Sequence, residues 1–183
     1  MICAAKRKRD EGKQGVRRKS VFKALQAETA VKDDVATPAS MYDDLNELFK
    51  FTFDPCPLNG ADEEGAGAGG LTRSWGTVNY VNPPFSNIPA WISKALEEKA
   101  KGNKTVMLVP LRPHTKYWRQ LVQPHVGTVI FFTKRFAFQG YKDTAPMSIC
   151  LLFFGFLPRE LDVIPRNWQP GGVPTWRLQS WVF

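Results

Sequence analysis

Residues 78–85 read Val78-Asn79-Tyr80-Val81-Asn82-Pro83-Pro84-Phe85, an apolar-alternating segment that runs straight into an amide, two prolines and an aromatic ring. Proline has no N–H for a ladder and holds its own φ, so the spacing predicts a strand that stops at Val81 and a rigid turn after it. Ile88, Trp91, Ile92, Ala95, Leu96 and Ala100 then recur on one helical face, with Lys94, Glu97, Glu98 and Lys101 on the other. Lys101-Gly102-Asn103 is a natural helix stop, and Val106-Met107-Leu108-Val109 reads as a buried strand ending at Pro110. Strands alternating with helices predict a largely parallel α/β sheet, whose carboxyl edge is where such proteins bind ligands.

Outward from this unit the signals are shorter. Upstream, Thr37-Pro38 opens the folded part, Ser40 with Asp43 forms a capping box, and Leu45, Leu48 and Phe49 mark a short amphipathic helix. Phe51-Thr52-Phe53 reads as a brief strand ending at Asp54-Pro55-Cys56-Pro57. Residues 58–70 are rich in Gly, Ala and acid, but lack the spacing of a dinucleotide fingerprint and the Lys of a P-loop, so a flexible surface loop is expected. Downstream, Trp118, Leu121 and Val122 suggest a helix, and residues 129–132 and 148–156 suggest strands, the last closing as an antiparallel pair. The C-terminal stretch with Trp168, Trp176 and Trp181 reads as irregular chain packed back on the sheet.

The chain has 183 residues, room for one domain with a real core and hardly for two. Its formal charge of +8 is uneven. Residues 1–36 hold ten Lys/Arg against five acids, so a basic, disordered arm is expected there and a folded domain over 37–183. Such an arm can touch phosphates without sequence preference, or serve only as a solubilising tail. Lys6-Arg7-Lys8-Arg9 followed by Arg17-Arg18-Lys19 also resembles a two-part nuclear import signal. No apolar run reaches membrane-spanning length and the basic start is unlike a secretory signal. Cys3, Cys56 and Cys150 fit neither a disulfide framework nor a metal site. The expectation is an intracellular protein of the cytoplasm or nucleus, not secreted, with no membrane and no metal.

The amide at the strand end suggests a chemistry. An aromatic amino nitrogen is a poor nucleophile because its lone pair is delocalised into the ring. Two acceptors aimed at its hydrogens, the Asn82 amide oxygen and the Pro83 carbonyl, would draw it towards tetrahedral geometry and free the lone pair to attack a sulfonium methyl. Pro83 and Pro84 would keep the turn rigid, and Phe85 would offer an exposed face to an unstacked base. An ordinary strand-to-loop exit uses the same residue types, because Asn and Pro both favour turns. Beyond the strand that ends at Pro110, Arg112, His114 and Lys116 could grip phosphates or bases, as could Lys134 and Arg135, or could be plain surface residues.

Taken together, the chain resembles the phage-type (Dam-like) DNA N-6-adenine methyltransferases. The matching pieces are Thr37-Pro38 before a short helix, Asp54-Pro55-Cys56, Leu71 with Trp75, Asn82-Pro83-Pro84-Phe85-Ser86, Trp91-Ile92 with Lys94-Ala95, Leu108-Val109-Pro110, and Arg135-Phe136 with Phe138. They fall in the family's order across residues 37–156. The resemblance implies a compact Rossmann-like methyltransferase sheet, mostly parallel with an antiparallel terminal strand. It also implies S-adenosylmethionine as donor and adenine in DNA as acceptor. On the same ground Asp54, Pro55 and Cys56 take a cofactor-binding place, with Thr37 and Pro38 near the donor's amino-acid end. Asp54 could instead cap the following turn, and Thr37-Pro38 could simply start the helix. The family commonly has an acid just before the Leu matching Leu71, where this chain has Gly70; Asp62, Glu63 and Glu64 are the nearby acids. Enzymes acting on cytosine, RNA or a protein glutamine share the Asn-Pro-Pro-aromatic motif. A non-catalytic DNA-binding relative would keep the scaffold.

Overall fold

A computed structural model describes residues 35–57, 68–165 and 167–179. The acids at 62–64, Trp181 and all but the last two residues of the expected arm lie outside the described residues. Those two, Val35 and Ala36, belong to the folded body: Val35 is buried, and Ala36 bridges antiparallel to Gln139. The helices α1 (Ala39–Phe49), α2 (Ala68–Thr72) and α3 (Ile88–Ala100) accompany the strands β1 (Val78–Val81), β2 (Lys104–Pro110), β3 (Thr128–Phe132), β4 (Ile149–Phe154) and β5 (Thr175–Gln179). Short π- and 3-10-helical turns cover Trp118–Val122, Pro158–Leu161 and Pro170–Gly172.

The central β1–α3–β2 unit forms where the apolar periodicity changes from two to helical. β1 pairs parallel with β2, Val81 opposite Met107, and ends where Asn82-Pro83 begins. Where the sequence suggested a brief strand over residues 51–53, Phe53 makes only an isolated parallel bridge to Asn79. The rest of the sheet departs from the parallel expectation. Its order is β1-β2-β4-β3-β5, with β4 antiparallel to both β2 and β3, and β5 antiparallel to β3. The sheet is therefore mixed, not mostly parallel, and antiparallel pairing extends well beyond one terminal strand. The cause is β4, whose residues are buried throughout and which inserts between β2 and β3 rather than at an edge. β5 is a strand where the sequence suggested irregular chain.

One face of the sheet carries Tyr80, Val106 and Phe153 in register. Helix α1 lies over it, Tyr42 edge-on to Tyr80 at 5.2 Å and Phe49 against Phe153 at 5.5 Å. No side chain caps α1; Pro38 is its N-cap, so Ser40 stands inside the helix and the expected capping box does not form. The turn Pro170–Gly172 holds α1 from outside. Gly171 donates its N–H to Asp44 Oδ2 at 2.6 Å, and its φ of 60° brings it so close that an added Cβ would sit 3.1 Å from that of Met41.

Helix α3 ends with Gly102 at φ 91°, the Asn103 N–H reaching back to the Glu98 carbonyl at 3.0 Å. Glu98 is fully buried there. Burial alone would raise its carboxyl, but hydrogen bonds from Lys101, Asn103 and Lys94 outweigh it and bring it down to about 2. A carboxyl depressed in the fold contributes stability above its unfolded value and loses that contribution as pH falls through the folded one. Glu98→Gln should therefore destabilise the protein at neutral pH. It should also flatten the loss of stability between about pH 4.5 and 2, as read in urea melts across that range.

Candidate active site

Strand direction sets the stage. β1 and β2 run together, β4 opposes β2, and β3 opposes β4, so β1, β2 and β3 all point the same way. Asn82, the segment from Arg112 to Lys116, and the Lys134-Arg135 pair each follow one of these strands. They therefore share the carboxyl-end rim of the sheet. His114, Lys116, Lys134 and Arg135 are exposed along it and Arg112 is half-buried.

A cavity of about 270 Å³ opens at this rim beside β1, lined by Thr37, Ala39, Tyr42, Asp43, Asp54, Cys56, Tyr80, Asn82 and Gln139. It brings together Thr37, Asp54, Cys56 and Asn82, residues that lie far apart in the sequence. Asn82 is held rigidly: its Nδ2 donates to the Val35 carbonyl at 2.6 Å. That bond orients the amide and leaves Oδ1 buried with no hydrogen-bond partner among the described residues. A buried acceptor without a donor costs about 1–3 kcal/mol.

Asp54 sits in the same wall. One carboxylate oxygen accepts the Cys56 N–H at 2.9 Å, so the residue does cap the turn, as the alternative reading had it. The side chain also faces the cavity. Burial raises its carboxyl above the ordinary value, and the Cys56 hydrogen bond partly offsets this. Thr37 Oγ1 and the Tyr80 hydroxyl hydrogen-bond at 2.5 Å in the interior. Burial pushes the Tyr80 phenol strongly upwards, so it stays neutral. Ala39 brings the N-terminal end of α1, which has no capping side chain, into the lining. The sequence reading missed Tyr42, Asp43, Tyr80 and Gln139. Tyr80 alone carried a signal, an aromatic residue two places before Asn82 and hence on the same strand face.

Five of the residues expected to act on the substrate or the cofactor do not line the cavity. Pro83 is buried and Pro84 half-buried, shaping the turn whose Pro84 carbonyl accepts the Asn87 N–H at 3.2 Å. Phe85 was expected to be exposed but is 7% exposed, edge-on to Phe138 at 5.9 Å in a chain of rings that continues through Phe136 to Phe132. An apolar ring beside such partners gains more from burial than from water, so its face is covered. Pro55 and Pro38 contribute backbone: the Pro55 carbonyl lies against Gly70, and the Pro38 carbonyl accepts the Tyr42 N–H at 3.0 Å.

Gly70 also has a physical reason. A Cβ at this position would lie 2.1 Å from the Pro55 oxygen and 2.7 Å from the Trp91 ring. The Trp75 indole donates to the Gly70 carbonyl at 2.7 Å and stacks on Trp91. The short helix α2 thus packs backbone-first onto the Asp54-Pro55-Cys56 segment, leaving no room for an acidic side chain. Among the described residues neither Cys56 nor Cys150 forms a disulfide.

No helix among the described residues is long and apolar enough to cross a membrane. Residues 25–148 match the family model described as DNA N-6-adenine-methyltransferase (Dam). A search of curated proteins gave no match.

Proposed function

The chain belongs to the DNA N-6-adenine-methyltransferase (Dam) family, and from that premise we propose that it transfers a methyl group from S-adenosylmethionine to adenine N6 in DNA. The observation that carries this reading is the buried, unpartnered Asn82 Oδ1 beside a cavity that also holds Asp54 and Thr37. The residues present suit the donor. Asp54, half-buried at the cavity wall, can accept from an ammonium or a ribose hydroxyl. The free N–H groups at the start of α1 suit a carboxylate. When bound, S-adenosylmethionine supplies an electrophilic methyl carbon.

The protein's own part is orientation. Asn82 Oδ1, fixed by the bond from Nδ2 to Val35, accepts from the adenine amino group and turns its lone pair towards the methyl. The Pro83 carbonyl, next in the chain, is the second acceptor. The proton on the methylated nitrogen leaves to water, so no side-chain base is needed. The fold is then a compact Rossmann-like variant whose sheet keeps only the β1–α3–β2 crossover in parallel form. Phe85, packed into the ring cluster, supports the turn from below instead of stacking on the base.

DNA lies along the basic rim. Arg112, His114, Lys116, Lys134 and Arg135 contact phosphates, and the basic residues of the N-terminal arm add to them. Replacing Lys134 and Arg135 together by Ala should weaken binding about equally for all DNA sequences. It should also shallow the salt dependence of affinity by about one log-log unit per lost phosphate contact. An unchanged slope would place DNA elsewhere. The direct test of the reaction is incubation of the protein with labelled donor and unmethylated DNA, followed by nucleoside mass spectrometry. N6-methyl-2′-deoxyadenosine released from the DNA supports it. N4-methylcytosine, or label only in protein or RNA, would redirect the substrate assignment.

A further inference from the structure

The cavity and the rest of the protein carry opposite charge. The chain bears a formal +8, yet among the described residues the cavity lining includes Asp43 and Asp54 and no Lys, Arg or His. Both carboxylates act on the same space. The Tyr42 phenol is raised first by burial and then by the negative charge of Asp54 and Asp43, so both fields meet at its ring. That ring stands edge-on to Tyr80 at 5.2 Å, and both tyrosines line the cavity. Carboxylates beside aromatic rings suit an organic cation. The buried, unpartnered Oδ1 of Asn82 in the same lining independently marks the cavity as a ligand site.

We propose that the cavity selects its ligand by charge: Asp43 and Asp54 with the Tyr42 and Tyr80 rings retain the sulfonium donor and release the neutral thioether left after transfer. This rests on the methyl-transfer reading above. In the reaction the amino nitrogen's lone pair forms the new N–C bond, and the S–C bond breaks with its electrons returning to sulfur. The sulfonium thereby becomes a neutral thioether, and the positive charge moves to the nitrogen, whose proton passes to water. Donor and product differ at the reacting centre by one methyl and one positive charge, and the acidic cavity senses the charge. The electrostatic hold disappears with the chemical step itself, which favours product departure. Asp43 is the residue that sequence reading assigned only to helix capping. It stands exposed in the second turn of α1 and lines the cavity.

The test is calorimetric titration of the full-length protein, without DNA, with three ligands. These are S-adenosylmethionine, S-adenosylhomocysteine, and the analogue that carries an amine in place of the sulfonium. The expected order places the two cations about tenfold or more tighter than the thioether, the effect of one partly screened charge pair. Asp43→Asn should bring that ratio down towards unity. Glu47→Gln, exposed on the same helix but outside the cavity lining, should leave the ratio unchanged. Equal binding of all three ligands would overturn charge selection and leave the methyl-transfer reading standing. An equal change in the two variants would also overturn it, because the effect would then be long-range. Absence of binding by every ligand would overturn both.

Discussion

Asn82→Ala will lower kcat for adenine methylation by at least about 10²–10³-fold, the scale seen when one preorganised polar group is removed from a reacting centre. Donor affinity should stay within a few-fold, because Asp54, Thr37 and the start of α1 remain in place. The substitution removes the Oδ1 acceptor and also the Nδ2 bond that ties the turn to Val35. Asn82→Asp separates these roles. It keeps an acceptor at the reacting position but sets a carboxylate oxygen against the Val35 carbonyl, which repels it. An intermediate rate for the Asp variant, with the Ala variant near background, is the expected pattern. Steady-state rates with a hemimethylated or unmethylated duplex, alongside donor titrations, measure it. Turnover of the Ala variant at the parent rate would show that the amide does not orient the amine.

Gly70→Ala will destabilise the whole domain, and Gly70→Asp more severely. The added Cβ would meet the Pro55 oxygen at 2.1 Å, a backbone atom that cannot swing aside as a side chain can. Overpacking of this kind costs about 1–3 kcal/mol, and each kcal/mol lowers Tm by about 2–4 °C in a protein of this size. An aspartate adds the cost of a carboxylate buried against a carbonyl. Since Pro55 lies between Asp54 and Cys56, the Ala variant should also bind the donor more weakly at temperatures where it is still folded. Thermal melts and donor titrations check both effects. A Gly70→Asp variant with unchanged Tm and affinity would show that α2 does not pack as described.

The parts of the fold that were legible in the sequence are those encoded locally. Pro83 and Pro84 stop β1, Gly102 stops α3, and the change of apolar period between them announces the crossover. Residues Ile149–Phe154 were legible as a buried strand, but a uniformly apolar run carries no mark of direction. Its place between β2 and β3 is decided by pairing, which is non-local. β5 was hidden because Thr175–Gln179 follows a stretch rich in Pro and Gly, and its partner β3 lies far upstream. Of the candidate site, Asn82 and Asp54 could be singled out because each follows a short apolar-alternating segment and precedes a proline. Phe85 could not, since whether a ring after a turn is open or covered depends on Phe138, and nothing near residue 85 records that. Asp43 and Gln139 enter the cavity only through tertiary geometry: one by the placement of α1 over Tyr80, the other by the bridge to Ala36.

The clasp between Gly171 and Asp44 joins residues 127 positions apart in the chain. During synthesis, α1 leaves the ribosome long before the turn that braces it, and the central strand β4 also arrives late. The first half of the chain therefore cannot assemble the finished cavity by itself. A nascent polypeptide lacks the brace on α1 until the turn Pro170–Gly172 has emerged.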